Sequence, residues 1–97
     1  MGYKPTDIVS RAQHLAHRLF EDRVLVITAK DSMLHRFNEV GTFIWQQLEK
    51  PRSAGEIHAA VARHFAGFDP EENDGDVRRF LETLVKKGCV EIARKEP

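Results

Sequence analysis

The stretch that most narrows what this chain can fold into is Leu34–Leu48, LHRFNEVGTFIWQQL, the end of a strand running straight into an amphipathic helix. Met33, His35 and Phe37 alternate with Leu34 and Arg36, as the two faces of a strand do. Asn38 is placed to cap the helix by accepting a backbone N–H, and Glu39 suits the positive end of the helix dipole. Val40, Phe43, Ile44 and Leu48 then recur at helical spacing and form one apolar stripe. Gly41, in the first turn, costs about 1 kcal/mol against alanine. Its presence there points to a backbone or a large ring packed close.

Upstream, Leu15–Phe20 and Arg23–Thr28 predict two strands joined by the short polar turn Glu21–Asp22. The second, VLVIT, is rich in β-branched residues. Lys30–Asp31–Ser32 makes the next turn and delivers the chain to Met33–Phe37, so the pattern is a three-stranded antiparallel meander. Residues 1–13, with Pro5 and the turn signal Thr6–Asp7, read as a loose N-terminal arm that docks on the body or on a second copy.

Downstream the pattern is mostly helical. The first helix runs to about Glu49 and is stopped by Pro51. Ser53 opens a second, with Glu56 completing a capping box, Ile57, Val61 and Phe65 on one side, and Gly67 at its end. In the acidic segment DPEENDGD, Gly75 confines any helix opened by Asp69–Pro70 to a short turn. The third helix is therefore expected from near Asp74 or Asp76, with Val77, Phe80, Leu81, Leu84 and Val85 on its buried side and Gly88 as its stop. The closing run CVEIA is a short strand or an extended tail. The fold class is α+β and winged-helix-like: a three-stranded antiparallel sheet followed by three helices, in one domain over residues 1–97.

Composition excludes several classes of function. The 97 residues carry fifteen basic and fifteen acidic side chains, whereas a duplex-binding domain normally has a basic excess. The lone Cys89 rules out an internal disulfide and any multi-cysteine metal site, which fits a reducing, cytoplasmic setting. No apolar run approaches the ~20 residues of a membrane span. Among the five histidines, His14 and His17 point to opposite strand faces, His58 and His64 lie on roughly opposite sides of a helix, and His35 has no ligand-type neighbour. No zinc-like set results. Ser10, Ser32 and Ser53 lie in turn or cap contexts, and the glycines are too scattered for a phosphate loop. The sequence thus offers no catalytic residue, cofactor site or metal site. Arg78, Arg79, Lys86 and Lys87 give the third helix a partly basic surface, so a winged-helix DNA-binding regulator is the competing reading. Asp74, Asp76 and Glu82, interleaved with them, favour a solvated face with local ion pairs.

The run FNEVGTFIWQQL resembles the LN-x-x-G-x-x-I-W-x-x-L signature of the PqqD-like family, the small proteins of pyrroloquinoline quinone (PQQ) biosynthesis. Ser53–Ile57 is similar to that family's T/S-x-x-E-I, Asp76–Leu84 to its D-V-x-x-F-L-x-x-L, and Gly88–Glu91 to its closing G-L-x-E. Together these cover about residues 23–91. The sequence departs from the family after the first helix, where Lys50–Pro51–Arg52 stands in place of a Cys-Asp-Gly-like element.

The resemblance implies a non-catalytic peptide chaperone, also called a RiPP recognition element. Such a protein holds the leader of a ribosomally made precursor peptide by strand addition and presents it to a modifying enzyme, commonly a radical SAM protein. It implies that the peptide lies between the third strand and the third helix. The expected peptide-binding residues are therefore Met33, Leu34, His35, Arg36 and Phe37 on the strand, and Val77, Arg78, Leu81, Glu82 and Val85 on the helix. An exposed sheet edge and a mobile arm also predict a tendency to form homodimers.

Overall fold

The computed structural model of this chain describes residues 3–13, 15–28, 32–67 and 69–94. His14 and the Lys30–Asp31 part of the expected turn lie outside them. The hairpin forms as the sequence predicts. Strand β2 (Ala16–Phe20) pairs antiparallel with β3 (Arg23–Ile27), Phe20 facing Arg23 and Ala16 facing Ile27. Glu21 and Asp22 take φ of 50° and 63°, the paired left-handed conformation of a two-residue turn whose twist matches that of the strands. β3 then pairs with β4 (Leu34–Arg36), Val26 facing His35, so β4 closes one side of a β2-β3-β4 sheet. Val24 and Val26 are buried on the inner face of that sheet.

At Phe37 the chain leaves the sheet for α1 (Glu39–Gln47), and Asn38 accepts the Gly41 N–H at 2.8 Å as its cap. Thr42, buried on α1, accepts the Val24 N–H through Oγ1 at 3.1 Å. That bond replaces the next rung of the β3–β4 ladder and pins the helix to the sheet. Trp45, buried one turn on, touches the Phe37 and His17 rings edge-on, with centroids 5.8 and 5.4 Å away. The Arg11 guanidinium lies 4.8 Å from the indole centroid.

Ser53 and Glu56 form the expected capping box at the start of α2 (Ala54–His64). The third helix departs from expectation: α3 (Pro70–Lys86) is continuous for 17 residues and passes through Gly75. The Asp69 carboxylate accepts the N–H groups of Glu71 and Glu72 at 2.9 and 3.2 Å, and both glutamates suit the helix dipole. Cap, dipole and the buried Asn73 and Val77 outweigh the cost of one internal glycine. At the other end Gly88 (φ 76°) turns the chain, with Gly88 N–H on the Val85 carbonyl and Cys89 N–H on that of Leu84, a Schellman stop.

The N-terminal segment is not a loose arm. Ile8–Arg11 forms β1, the central strand of a second antiparallel sheet, between β5 (Arg52–Ser53) and β6 (Val90–Ala93). Ile8 faces both Ser53 and Ala93, and Val9 is fully buried. The partners lie more than forty and eighty residues away along the chain, so no local pattern announced them. CVEIA resolves accordingly as a strand. Among the described residues the architecture is mixed α+β, two three-stranded antiparallel sheets with three helices, rather than the single sheet expected from the sequence. No described helix is long and apolar enough to cross a membrane.

Candidate functional site at the β4 edge

β4 is the last strand of its sheet, and its backbone alternation follows from two bonds that bracket it. The Thr28 N–H donates to the Met33 carbonyl at 3.0 Å and the Phe37 N–H to the Val24 carbonyl at 2.9 Å. With His35 facing Val26, residues 33, 35 and 37 turn their backbone groups toward β3. Leu34 and Arg36 turn theirs away from the sheet. Side chains alternate in the perpendicular sense. Leu34 and Arg36 lie on the outer face with their partners Ile27 and Leu25, while Met33, His35 and Phe37 lie on the inner face with Val24 and Val26. Met33 and Leu34 are 53% and 60% exposed, so this edge combines backbone groups unpaired among the described residues with uncovered apolar side chains.

α3 approaches the inner side of β4 through Phe80. Its ring meets that of Phe37 edge-on at 5.2 Å, and a Cβ on Gly41 would come within 2.8 Å of its Cζ. Gly41 is therefore small because the Phe80 ring and the Phe37 Cβ close over it, in line with the close ring that the sequence predicts. By helical spacing Asp76 and Thr83 share the flank of Phe80.

The expected site residues divide accordingly. Those of β4 sit together on the edge. Val77 and Leu81 of α3 are buried in the core. Arg78 is engaged on the other flank of the helix, its guanidinium 4.4 Å from the Tyr3 ring centroid and 3.4 Å from the Tyr3 carbonyl. Glu82, one turn on, and Val85, seven residues beyond Arg78, continue that flank. Phe80, which helical spacing assigns to the core stripe, is the α3 side chain that meets the end of β4. The signal for it was Gly41, which required a ring without saying which.

The flank of Arg78 carries its own polar chain. The Tyr3 hydroxyl lies 2.6 Å from His58 Nε2, and His58 Nδ1 meets the Asp74 carboxylate. In the tautomer with its hydrogen on Nδ1, the imidazole accepts the hydrogen bond of the Tyr3 O–H on Nε2 and donates to the carboxylate. Burial pushes the Tyr3 phenol up to about 12; Arg78 opposes the shift, and Asp74 and Glu82 add to it. These bonds tie the N-terminus to α2 and α3.

The other described histidines are also placed by packing. His64 stacks on Phe43 at 4.2 Å, His35 lies 3.4 Å from the Thr28 hydroxyl, and His17 sits against Trp45. Burial, helped by Arg11, holds the His17 imidazole below its ordinary value. Among the described residues no three His, Cys, Asp or Glu side chains converge to hold a metal ion. A mixed cleft of about 540 Å³ opens on another side of the molecule, between the hairpin tip, α1 and the end of α2, lined by Leu19, Phe43 and His64 among others.

Two solved structures share the fold. TbiB1, determined in complex with the TbiA(beta) leader peptide, superposes with a TM-score of 0.74 at 23% identity, over 84% of this chain and 94% of that one. The PqqD truncation of Methylobacterium extorquens PqqCD is described as a functional, stand-alone RiPP recognition element. It superposes at 0.69 and 12% identity, over 92% of this chain and 94% of that one. Comparison with curated proteins finds no significant match. Residues 23–90, from the start of β3 to the start of β6, match the family model of coenzyme PQQ synthesis protein D, and the chain belongs to that PqqD family.

Proposed function

We propose that this chain is a leader-peptide recognition module: a non-catalytic, winged-helix-like single domain over residues 1–97 that works in the cytoplasm. It takes the leader of a ribosomally made precursor peptide as an added strand on β4 and presents the peptide to a modifying enzyme of the radical SAM class. The observation that carries this reading is the β4 edge, where Leu34 and Arg36 direct their N–H and C=O groups away from the sheet. A peptide strand satisfies those groups and places alternate side chains beside Met33, His35, Phe37 and Phe80. Family membership and the leader bound to TbiB1, a protein of similar fold, support the same use. A DNA-binding reading is not favoured. The exposed start of α3 carries Glu71, Glu72, Asp74 and Asp76, and Arg78 is held over Tyr3. Two copies meeting along the same edge form a homodimer that the leader displaces, so light scattering is expected to shift toward monomer on adding peptide.

The gene is expected to neighbour a short open reading frame, and the test is calorimetric titration of the leader that this frame encodes. Arg36→Pro removes an outward N–H and is expected to abolish binding while circular dichroism shows the fold retained. Arg36→Ala keeps the backbone and costs no more than about 1 kcal/mol, the scale of one cross-strand pair. Full affinity in folded Arg36→Pro rules out strand addition at this edge.

A further inference from the structure

The outer face of the β2-β3-β4 sheet is ordered in rows by the strand register. Ala16, Ile27 and Leu34 stand side by side in one row, Arg18, Leu25 and Arg36 in the next. The first row is apolar and open, with Ile27 46% and Leu34 60% exposed. The second sets a leucine between two guanidiniums. No carboxylate stands in either row, and neither Arg18 nor Arg36 makes an ion pair among the described residues.

A strand laid along β4 in either direction bonds to the outward backbone groups of Leu34 and Arg36. The two peptide residues beside them are two apart in sequence, and their side chains fall on this same outer face. We propose that β4 selects its peptide by charge: the bound strand carries a carboxylate beside Arg36 and an aliphatic side chain beside Leu34, with one residue between. The recognised element is acidic-x-aliphatic if the peptide runs antiparallel to β4 and aliphatic-x-acidic if it runs parallel. The intervening side chain falls on the inner face near His35. This rests on strand addition at β4 and adds to it the chemistry of the peptide that is accepted. Arg36 sets the preference because it is the cation on the edge strand itself. Arg18 stands two strands further in, with Leu25 between. The pair is exposed, so it discriminates among peptides more than it adds affinity.

The probes are four capped synthetic peptides of about ten residues, with valine at the inward positions and a central Glu-Val-Leu, Lys-Val-Leu, Leu-Val-Glu or Leu-Val-Lys. Each is titrated into the full chain by fluorescence anisotropy at low and high salt. The expected result is that, in one of the two orders, the glutamate peptide binds about fivefold tighter than its lysine counterpart, the scale of a cross-strand charge pair. The preference fades at high salt, vanishes in Arg36→Gln and reverses in Arg36→Glu, with circular dichroism unchanged. Equal binding of glutamate and lysine peptides in both orders, failure of all four to bind, or a preference that survives in Arg36→Gln overturns the proposal. Failure of all four to bind removes strand addition as well; where peptides bind without a charge preference, Arg36→Pro separates that failure from the failure of strand addition. Loss of all binding in the folded proline variant keeps strand addition even where charge selection fails. Retained binding removes both.

Discussion

Gly41 and Gly75 are both glycines inside helices, and their surroundings give them opposite signs. A Cβ on Gly41 would stand 2.8 Å from Phe80 Cζ and 3.2 Å from Phe37 Cβ, so alanine must displace the Phe80 ring that joins α3 to the end of β4. Such overpacking costs about 1–3 kcal/mol, against which alanine recovers about 1 kcal/mol of helix propensity. Gly41→Ala is expected to lower the urea midpoint. Gly75 meets only the Arg79 guanidinium at 3.4 Å, an adjustable neighbour, and Gly75→Ala should raise stability by about 1 kcal/mol. A Gly41→Ala variant as stable as the parent would show that the Phe37–Phe80 contact yields freely. Tyr3 gives a second expectation at this scale. Its phenol ionises near 10 in the unfolded chain and at about 12 in the folded one. The folded state thus prefers the neutral phenol. That contribution is complete below pH 10 and is lost as pH rises from 10 toward 12. Thermal melts of the parent should therefore fall more steeply over that interval than those of Tyr3→Phe, and parallel slopes would contradict the assignment.

Elements differ in how far the sequence announces them, and the difference follows the range of the interactions that form them. The β2–β3 hairpin, the Asn38 cap and the Ser53–Glu56 capping box are each decided within a few residues, and each forms where the sequence places it. α3 begins about one turn early because the Asp69 cap acts locally but competes with Gly75, and the sequence alone does not rank the two. β1 depends on β6, whose nearest partner residue lies about eighty positions away, so nothing near Ile8 distinguishes a central strand from a tail. The candidate site is legible in the same uneven way. The β4 alternation is local and could be read. The buried stripe of α3 could be read too, but which flank of that stripe turns to β4 depends on the crossing of helix and sheet, and only the Phe37–Phe80 contact fixes it. The tie between α1 and β3 is also non-local. Thr42→Val removes the hydroxyl that accepts the buried Val24 N–H while keeping the side-chain volume, leaving a donor unsatisfied at about 1–3 kcal/mol. The expected loss is of that size by denaturant unfolding, with faster hydrogen exchange at Val24 than in the parent.

At the scale of the whole molecule, the two sheets make different demands on the chain. The β2-β3-β4 sheet is contiguous in sequence and carries the edge assigned to the peptide. The β5-β1-β6 sheet draws two segments distant in sequence, β5 and β6, onto β1. Among the described residues β1 is the strand through which its two neighbours are hydrogen-bonded into one sheet, since β5 and β6 each pair with it and not with each other. Its segment also supplies the buried Val9, the Tyr3–His58–Asp74 chain and the Arg11 guanidinium on Trp45. A chain starting at Ala12 keeps every residue of the family match, 23–90, and the whole β4 edge. Were residues 1–11 a loose arm, that chain would fold and bind peptide as the parent does. With β1 central, the deletion strips β5 and β6 of their backbone partners and uncovers the side of the core that Val9 fills, where one aliphatic side chain alone is worth about 1.5–3 kcal/mol. Small domains hold only about 5–15 kcal/mol in total. The expected outcome is a chain without a cooperative thermal transition by circular dichroism and with rapid proteolysis throughout, β4 included. A truncated chain that melts within a few degrees of the parent would show that the first sheet and the helices stand without the second, and that β1 is an accessory strand.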